Sequence, residues 1–367
     1  MMAPFEDVRR GATIYSVADH AGVSIATVSR VLQGSPVVSE HTRRKVLEAV
    51  DELDYLPSGA ARSLAVRHHD TYGLVLPELS GPYYAELLVG FETRAAELEQ
   101  SVMLVLAGAK EDSDRAVRTL ATRVDGIAVH GSLAANIGSS GKPVVVIAGR
   151  ARAGIEAIAA ENVEGAHRLT SHLLDHGRTN LRFIGDTAAA ADLRERYEGF
   201  VAAHVDRGMT PAEPLPAEFR ERDGTAVAER LLAGDFTADA LVCGNDELAL
   251  AVMARLTDGG VTVPQDIAIV GWDDVMTARY VRPALTTVRQ PVHELGALAA
   301  NRLHDLVSGA TPSAERRVLA TEVVIRSSCG CPPGRTGGRT APHRRSARAS
   351  ATASAPDPTT DPAPSRK

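Results

Sequence analysis

Cysteine, aromatic side chains and long apolar runs are all scarce in this 367-residue chain. Its three cysteines, Cys243, Cys329 and Cys331, are odd in number, and two lie near the C-terminal end, which excludes a disulfide framework. Cys329-Gly330-Cys331 could form half a metal site. No His or Cys pair elsewhere is read as offering matching spacing, so these cysteines are taken as incidental, and no metal or cofactor is expected. Aromatics make up only 4% of residues, while Ala, Arg, Gly and Asp are abundant, a skew of genomic composition more than of function. No apolar stretch is long enough to span a bilayer and no N-terminal apolar run follows a basic flank. The expectation is a cytoplasmic protein, nucleoid-associated, with no membrane partner. Net positive charge is missing too: the formal charge is −6, so contact with nucleic acid must come from local clusters. There is no G-x-G-x-x-G after the first strand, no P-loop and no G-x-S-x-G. Asp273 and Asp274 are adjacent, which is not the geometry of a catalytic dyad. No catalytic residue is assigned, and the chain is read as a non-enzyme.

What is present begins at Thr13. Val17, Ala18 and Ala21 recur at helical spacing, Gly22 breaks the pattern, and Ser24 restarts it as an N-cap. Val28, Val31 and Leu32 then give a second apolar stripe. Two short helices joined by three residues must cross steeply. Ala18 permits close approach, and Gly22 supplies the left-handed backbone such a turn needs. This is a helix-turn-helix, whose second helix is suited to a DNA major groove. Ser39 caps a third helix marked by Thr42, Val46, Leu47, Val50 and Leu53. Residues 13–57 thus form a small three-helix unit behind a flexible 1–12. Residues 58–70 read either as a plain linker or as a hinge helix that folds on DNA, with Leu64 as a wedge between base pairs.

From Thr71 short continuous apolar strands alternate with amphipathic helices, the signature of parallel sheets covered on both faces. There are too many strands for one comfortable sheet, so residues 71–328 are expected to form two α/β lobes. Residues 329–367 read as a disordered basic tail.

The run from Thr13 to Leu32 strongly resembles the lactose-repressor (LacI/GalR) family. So do Tyr55-Leu56-Pro57, Ala61-Arg62-Ser63-Leu64, Pro82-Tyr83-Tyr84, Val124-Asp125-Gly126, Arg196-Tyr197-Glu198-Gly199-Phe200, Gly244-Asn245-Asp246, Gly271-Trp272-Asp273-Asp274 and Leu285 to Gln290. The order of these landmarks makes the resemblance specific from Thr13 to Ser328. It implies an N-terminal helix-turn-helix headpiece, a hinge helix and a two-lobed core like periplasmic binding proteins. The chain would cross between lobes near Ala160, Arg289 and Glu315. It further implies a homodimer or tetramer on pseudo-palindromic double-stranded operator DNA. The function implied is a ligand-responsive transcriptional regulator, a repressor, controlled by a small-molecule effector, expected to be a sugar, in the interlobe cleft. A sugar-binding transport-type protein and a purine-responsive regulator are the alternatives.

The expected DNA-contacting residues are Ser24, Ile25, Ala26, Thr27, Ser29 and Arg30, with Ala61 and Leu64 in the hinge. Ile25 and Ala26 can meet a thymine methyl but make no bidentate pair; Arg30 can read guanine or hold phosphate. Across residues 13–69 the charges balance, so a lone headpiece should bind weakly and dimerisation should supply affinity. The expected effector-contacting residues are Tyr83, Tyr84, Arg194, Asn245, Trp272 and Asp273. An Arg fork, an amide and a carboxylate suit vicinal hydroxyls, and the aromatics can stack on a ring. Capping by Asp273 or Asp274 of a following helix, capping by Asp246 of a helix from Glu247, and a structural ion pair for Arg196 stand as the plain alternatives. Glu161-Asn162 replaces the family's usual Asp-Asn, and Val292 offers no aromatic to the cleft.

Overall fold

The computed structural model describes residues 12–32, 34–55, 68–107, 110–131, 133, 141–152, 154–314 and 316–332. The expected hinge residues Ala61 and Leu64, the N-terminal segment and nearly all of the expected tail lie outside the described residues.

Helices α1 (Ile14–Ala21), α2 (Ile25–Leu32) and α3 (Glu40–Glu52) form the headpiece. Thr13 and Ser16 make a capping box on α1, and Gly22 ends it in the left-handed region at φ 67°. Ser24 Oγ accepts from Thr27 N at 3.2 Å, capping α2. Val17, Ala18, Val28, Val31, Val46, Ala49 and Tyr55 make the core between them. Leu47, expected on the buried stripe of α3, is instead 45% exposed, and Ala49 takes the inward position.

The first lobe is a six-stranded, wholly parallel sheet. In chain order it contains β1 (Thr71–Leu76), α4 (Gly81–Glu97), β2 (Ser101–Leu106), α5 (Lys110–Ala121), β3 (Gly126–His130), β4 (Val144–Ile147) and β5 (Glu156–Ala160). The second lobe follows with α6 (Val163–Asp175), β6 (Leu181–Ile184), α7 (Ala191–Val205), α8 (Glu221–Ala233), β7 (Ala240–Cys243), α9 (Asp246–Asp258) and β8 (Ala268–Val270). The chain then adds β9 (Thr287–Arg289), returns to the first lobe as α10 (Val292–Val307) and β10 (Arg316–Leu319), and ends with β11 (Glu322–Val324). Strand order is β10-β5-β4-β3-β1-β2 in the first sheet and β6-β7-β8 in the second, with β9 and β11 antiparallel to each other.

Alternating residues of each sheet feed opposite faces, as a doubly covered sheet requires. In the second lobe Leu241 and Ile269 meet α8 and α9, while Phe183 and Val242 meet α6 and α7. In the first, Leu74 and Ile147 face α4 and α10, while Val75 and Val129 face α5. Helices α4 and α10 approach so closely that a Cβ on Gly90 would lie 2.1 Å from the His293 carbonyl oxygen, and one on Gly296 2.3 Å from that of Leu87. Only glycine fits at either position.

Three connections link the lobes. The first follows Ala160 and the second follows Arg289, both where expected. The third is not near Glu315: β10 still pairs with β5 through Leu319, and β11 pairs with β9 from Glu322, so the chain crosses at Ala320 and Thr321. An ion pair reinforces this region across the lobes. Arg316 on β10 forks onto Glu195 of α7, with Nη2 to Oε2 at 2.9 Å, and Asn162 Nδ2 donates to the same Oε2 at 3.0 Å.

Two buried acids tie the first lobe together. Glu156, fully buried on β5, accepts from Arg302 Nη2 (2.6 Å) and Nε (2.9 Å) on α10 and from Ser313 N (2.8 Å). Asp125 accepts the backbone N–H of His69 on both carboxylate oxygens, at 3.0 and 2.9 Å. This fixes the chain where it enters the core from the headpiece side.

Candidate functional site

A cavity of about 510 Å³ lies between the lobes, within the usual range for a small-molecule site. Its first-lobe wall comes from the start of α4 (Tyr83, Tyr84) and the end of β3 (His130); its second-lobe wall comes from α7 (Asp192, Arg196), Phe219, Asn245 and Asp273. Four of the six residues expected at the effector meet here: Tyr83, Tyr84, Asn245 and Asp273.

Arg194 and Trp272 are not on the cavity wall. On α7 the inward positions are Asp192 and Arg196, one helical turn apart, and Arg194 lies nearly opposite them and is exposed. Arg196 is the arginine of the site. Its Nε donates to Asn162 Oδ1 (2.9 Å) and its Nη1 to the Gly244 carbonyl (2.6 Å), so it is fixed by the second lobe's own frame. Trp272 lies beneath it, with the guanidinium 4.5 Å from the ring centroid. The indole therefore supports the arginine by a cation–π contact and does not face a ligand directly.

The acidic residues divide between structure and site. Asn245, not Asp246, is the N-cap of α9; its Oδ1 accepts from Leu248 N at 3.0 Å. Asp246 is the first helical residue, fully buried, and accepts from Thr287 Oγ1 (2.6 Å) and Val275 N (2.9 Å). Asp274 binds Arg289 (2.8 Å) and Arg326. The short 3₁₀ turn that follows, Met276–Arg279, has Val275 as its N-cap and receives no side-chain cap from either aspartate. Asp273 instead faces the cavity, taking a 2.5 Å hydrogen bond from Gln290 Nε2. It adopts φ 117° and Asp274 φ 56°, sparsely populated backbone for non-glycine residues, of the kind that collects at ligand sites.

Burial raises the Asp273 carboxyl to about 6, against the opposing pull of Arg196 and the Gln290 hydrogen bond. Burial also raises Asp192, again opposed by Arg196. Asp192 Oδ1 is buried with no hydrogen-bond partner among the described residues. Tyr84 and Tyr83 are both pushed up by burial. His130 falls to about 4 for the same reason and meets both rings edge-on, at 6.1 and 5.3 Å. The wall thus combines neutral aromatic surface with hydrogen-bonding groups already taken from water. Sequence reasoning missed Asp192, Phe219 and Gln290. Only the 192/196 helical spacing could have signalled the first; the other two sit on loops with no period to read.

Glu161 keeps the role of a helix-starting acid despite its extra methylene: its two oxygens accept from Glu164 N and Gly165 N, both at 2.8 Å. This leaves Asn162 free to orient Arg196.

At the other end, Ser24, Ile25, Ala26 and Arg30 are exposed on α2, and Thr27 and Ser29 are half-buried. Ile25 is 41% exposed although apolar, because Val28 and Val31 already fill the core side. Tyr15, 66% exposed at the start of α1, was not singled out by sequence; it lies off the Val17–Ala18–Ala21 stripe, which is the available signal. Of the acidic residues late in α3, Glu52 is engaged by His20 at 2.6 Å.

Cys329 and Cys331 are not isolated. The fold brings them to His172 and His176, an i,i+4 pair on the last turn of α6 that the sequence reading passed over. No helix among the described residues is long and apolar enough to cross a membrane.

Comparison with known proteins agrees with this anatomy. Residues 13–58 match the model for bacterial regulatory proteins of the lacI family, and residues 170–329 match the periplasmic binding protein-like domain. The chain is 32% identical over 332 residues to the HTH-type transcriptional repressor PurR of Pasteurella multocida, covering 86% of this chain and 98% of that one. A crystal structure of the Lac repressor dimer bound to operator and the anti-inducer ONPF superposes with TM-score 0.79 at 26% identity, covering 87% and 99% of the two chains. The transcriptional regulator CelR–cellobiose complex superposes with TM-score 0.65 at 29% identity, covering 86% and 99%. Headpiece, two-lobed core and whole-length similarity together establish that this chain belongs to the LacI family of DNA-binding transcriptional regulators.

Proposed function

We propose that the protein is a homodimeric repressor that binds pseudo-palindromic operator DNA and responds to a sugar held between the core lobes. The observation that carries the effector class is the composition of the 510 Å³ cavity. Half-buried carboxyl groups at Asp192 and Asp273 share the wall with the Arg196 guanidinium, and Tyr83, Tyr84 and Phe219 supply flat apolar surface. Vicinal hydroxyls pair with carboxylate and guanidinium at once, while the C–H face of a pyranose lies on an aromatic ring. Asp192 Oδ1, buried, 3.8 Å from Arg316 Nη2 and without a hydrogen-bond donor among the described residues, is an acceptor open to such a hydroxyl. That the CelR structure carries cellobiose supports the same class.

On the DNA side, Ile25 and Ala26 would meet thymine methyls and Arg30 a guanine or phosphate, with Ser24, Thr27 and Ser29 positioning α2 on the backbone. Two headpieces in a dimer would read two half-sites of chromosomal DNA in the cytoplasm. Because the sugar contacts both lobes and the lobes carry the headpieces, sugar and operator affinities would be reciprocally linked.

The test is a thermal-shift panel of mono- and disaccharides beside nucleobases, followed by operator binding with any hit. A sugar at a hundredfold excess over its Kd adds about 2.7 kcal/mol, or roughly 5–11 °C for a core of this size. Stabilisation by nucleobases alone, or a sugar hit that leaves operator affinity unchanged, overturns the reading.

A further inference from the structure

Outside the cavity, the end of α6 and the segment after β11 place two imidazoles and two thiols together. His172 and His176 project from one face of the last turn, ring centroids 4.5 Å apart. Cys331 Sγ lies 3.3 Å from His176 Nε2 and 3.7 Å from His172 Nε2; Cys329 Sγ lies 3.3 Å from His172 Nε2. None of the cysteines is in a disulfide.

These distances have a specific meaning. With zinc–nitrogen bonds of about 2.0–2.1 Å and zinc–sulfur bonds of about 2.3 Å, the N···S edge of a tetrahedral site is about 3.6 Å. The two edges from Cys331 fall on either side of that value. One donor atom from each of His172, His176 and Cys331 lies within 4.8 Å of the others. The chemistry agrees as well as the spacing. Two imidazole nitrogens and a thiol are donor types that zinc takes readily. Cys329 packs behind His172, its sulfur accepting from Thr286 Oγ1 at 3.2 Å and donating to the Arg326 carbonyl at 3.3 Å.

We propose that His172, His176 and Cys331 form a zinc site at the end of α6. The site would fasten the segment after the third lobe crossing to α6 of the second lobe. Its role would be structural, tying together two segments that lie 155 residues apart in sequence.

The experiment uses the full-length chain without a polyhistidine tag, grown with added zinc, and measures metal per protein by plasma mass spectrometry. The expected result is close to one zinc per chain, with Cys331→Ser and His176→Gln reduced to background. Cobalt-substituted protein should show sulfur-to-metal charge-transfer absorption and strong tetrahedral visible bands, both lost in C331S. Competition with a chromophoric chelator should show zinc affinity reduced by more than about 100-fold in C331S, taking the loss of a ligand to exceed the effect of an outer-shell partner. Both substituted positions are at the surface end of the cluster, and far-ultraviolet circular dichroism checks that each variant is folded. Background zinc in wild-type protein that also fails to compete with the chelator, or equal zinc in wild type and C331S, overturns the proposal.

Discussion

Replacing Arg302 by Met should destabilise the core, and the size of the effect should depend on pH. Arg302 supplies two of the three hydrogen bonds to Glu156, which is fully buried, while Arg302 itself is only 13% exposed at the side chain. Met keeps most of the aliphatic volume but leaves the carboxylate with one hydrogen bond, from Ser313 N, and the Arg317 guanidinium 3.9 Å away. Stripping one partner from a buried pair costs about 3–5 kcal/mol, which for a core of this size lowers Tm by roughly 6–20 °C. In the wild type, hydrogen bonding to Arg302 holds the Glu156 carboxyl below its ordinary value of 4.5. Its stabilising contribution is therefore complete above that value and lost as the pH falls through the lower folded value. In R302M the largest lowering influence is gone and burial is opposed only by Ser313 N and Arg317, so the carboxyl rises relative to wild type and acidification neutralises its charge more readily. The stability gap between the two proteins should be largest near pH 7 and close as the pH approaches 4. Urea unfolding followed by fluorescence and circular dichroism at several pH values measures this gap. A gap under about 1 kcal/mol at pH 7, or one that stays constant with pH, would refute the buried-pair account.

Three further outcomes follow from the site and the fold. Sugar binding should weaken about tenfold between pH 7 and pH 5, because Asp273, raised to about 6, is mostly protonated at the lower value; calorimetry on Asp273→Asn should give weaker binding with a flatter profile over this range. Gly90→Ala should cost about 1–3 kcal/mol, since its Cβ would sit 2.1 Å from the His293 carbonyl and force α4 and α10 apart; an unchanged Tm would contradict that close crossing. Arg30→Ala should weaken operator binding by about 1–3 kcal/mol if Arg30 reads a guanine, with lost discrimination at one base pair per half-site. Competition with single-substituted duplexes measures it, and uniform weakening at all positions would make Arg30 a phosphate contact.

Periodicity exposed most of the fold. The stripes of α1 and α2 and strands such as Ala240–Cys243 could be drawn almost residue by residue, because each buries one continuous apolar set. Strands β9, β10 and β11 escaped. They are three or four residues long and carry Arg289, Arg316, Arg317 and Glu322, so their place is fixed by pairing partners far away in sequence. The cavity was half legible for a related reason. Tyr83, Tyr84, Asn245 and Asp273 sit in short motifs with a distinctive order. The choice of Arg196 over Arg194 depends on the phase of α7, set by Leu193 and Phe200 packing against the second sheet. The His172–His176–Cys331 cluster needed the fold itself, since 155 residues of chain separate Cys331 from His176.

The two hydrogen bonds from Asp125 to the His69 amide have a consequence for how two headpieces share one operator. They set where the tether begins on the core, just as buried Tyr55 sets where it begins on the headpiece. Between those fixed ends the chain can reach at most about 50 Å even fully drawn out. In the dimer proposed above, the positions of these two fixed ends would bear on the local concentration at which a second headpiece meets its half-site. A carboxylate more than fifty residues away in sequence thus sets the point from which the core would hold its headpiece.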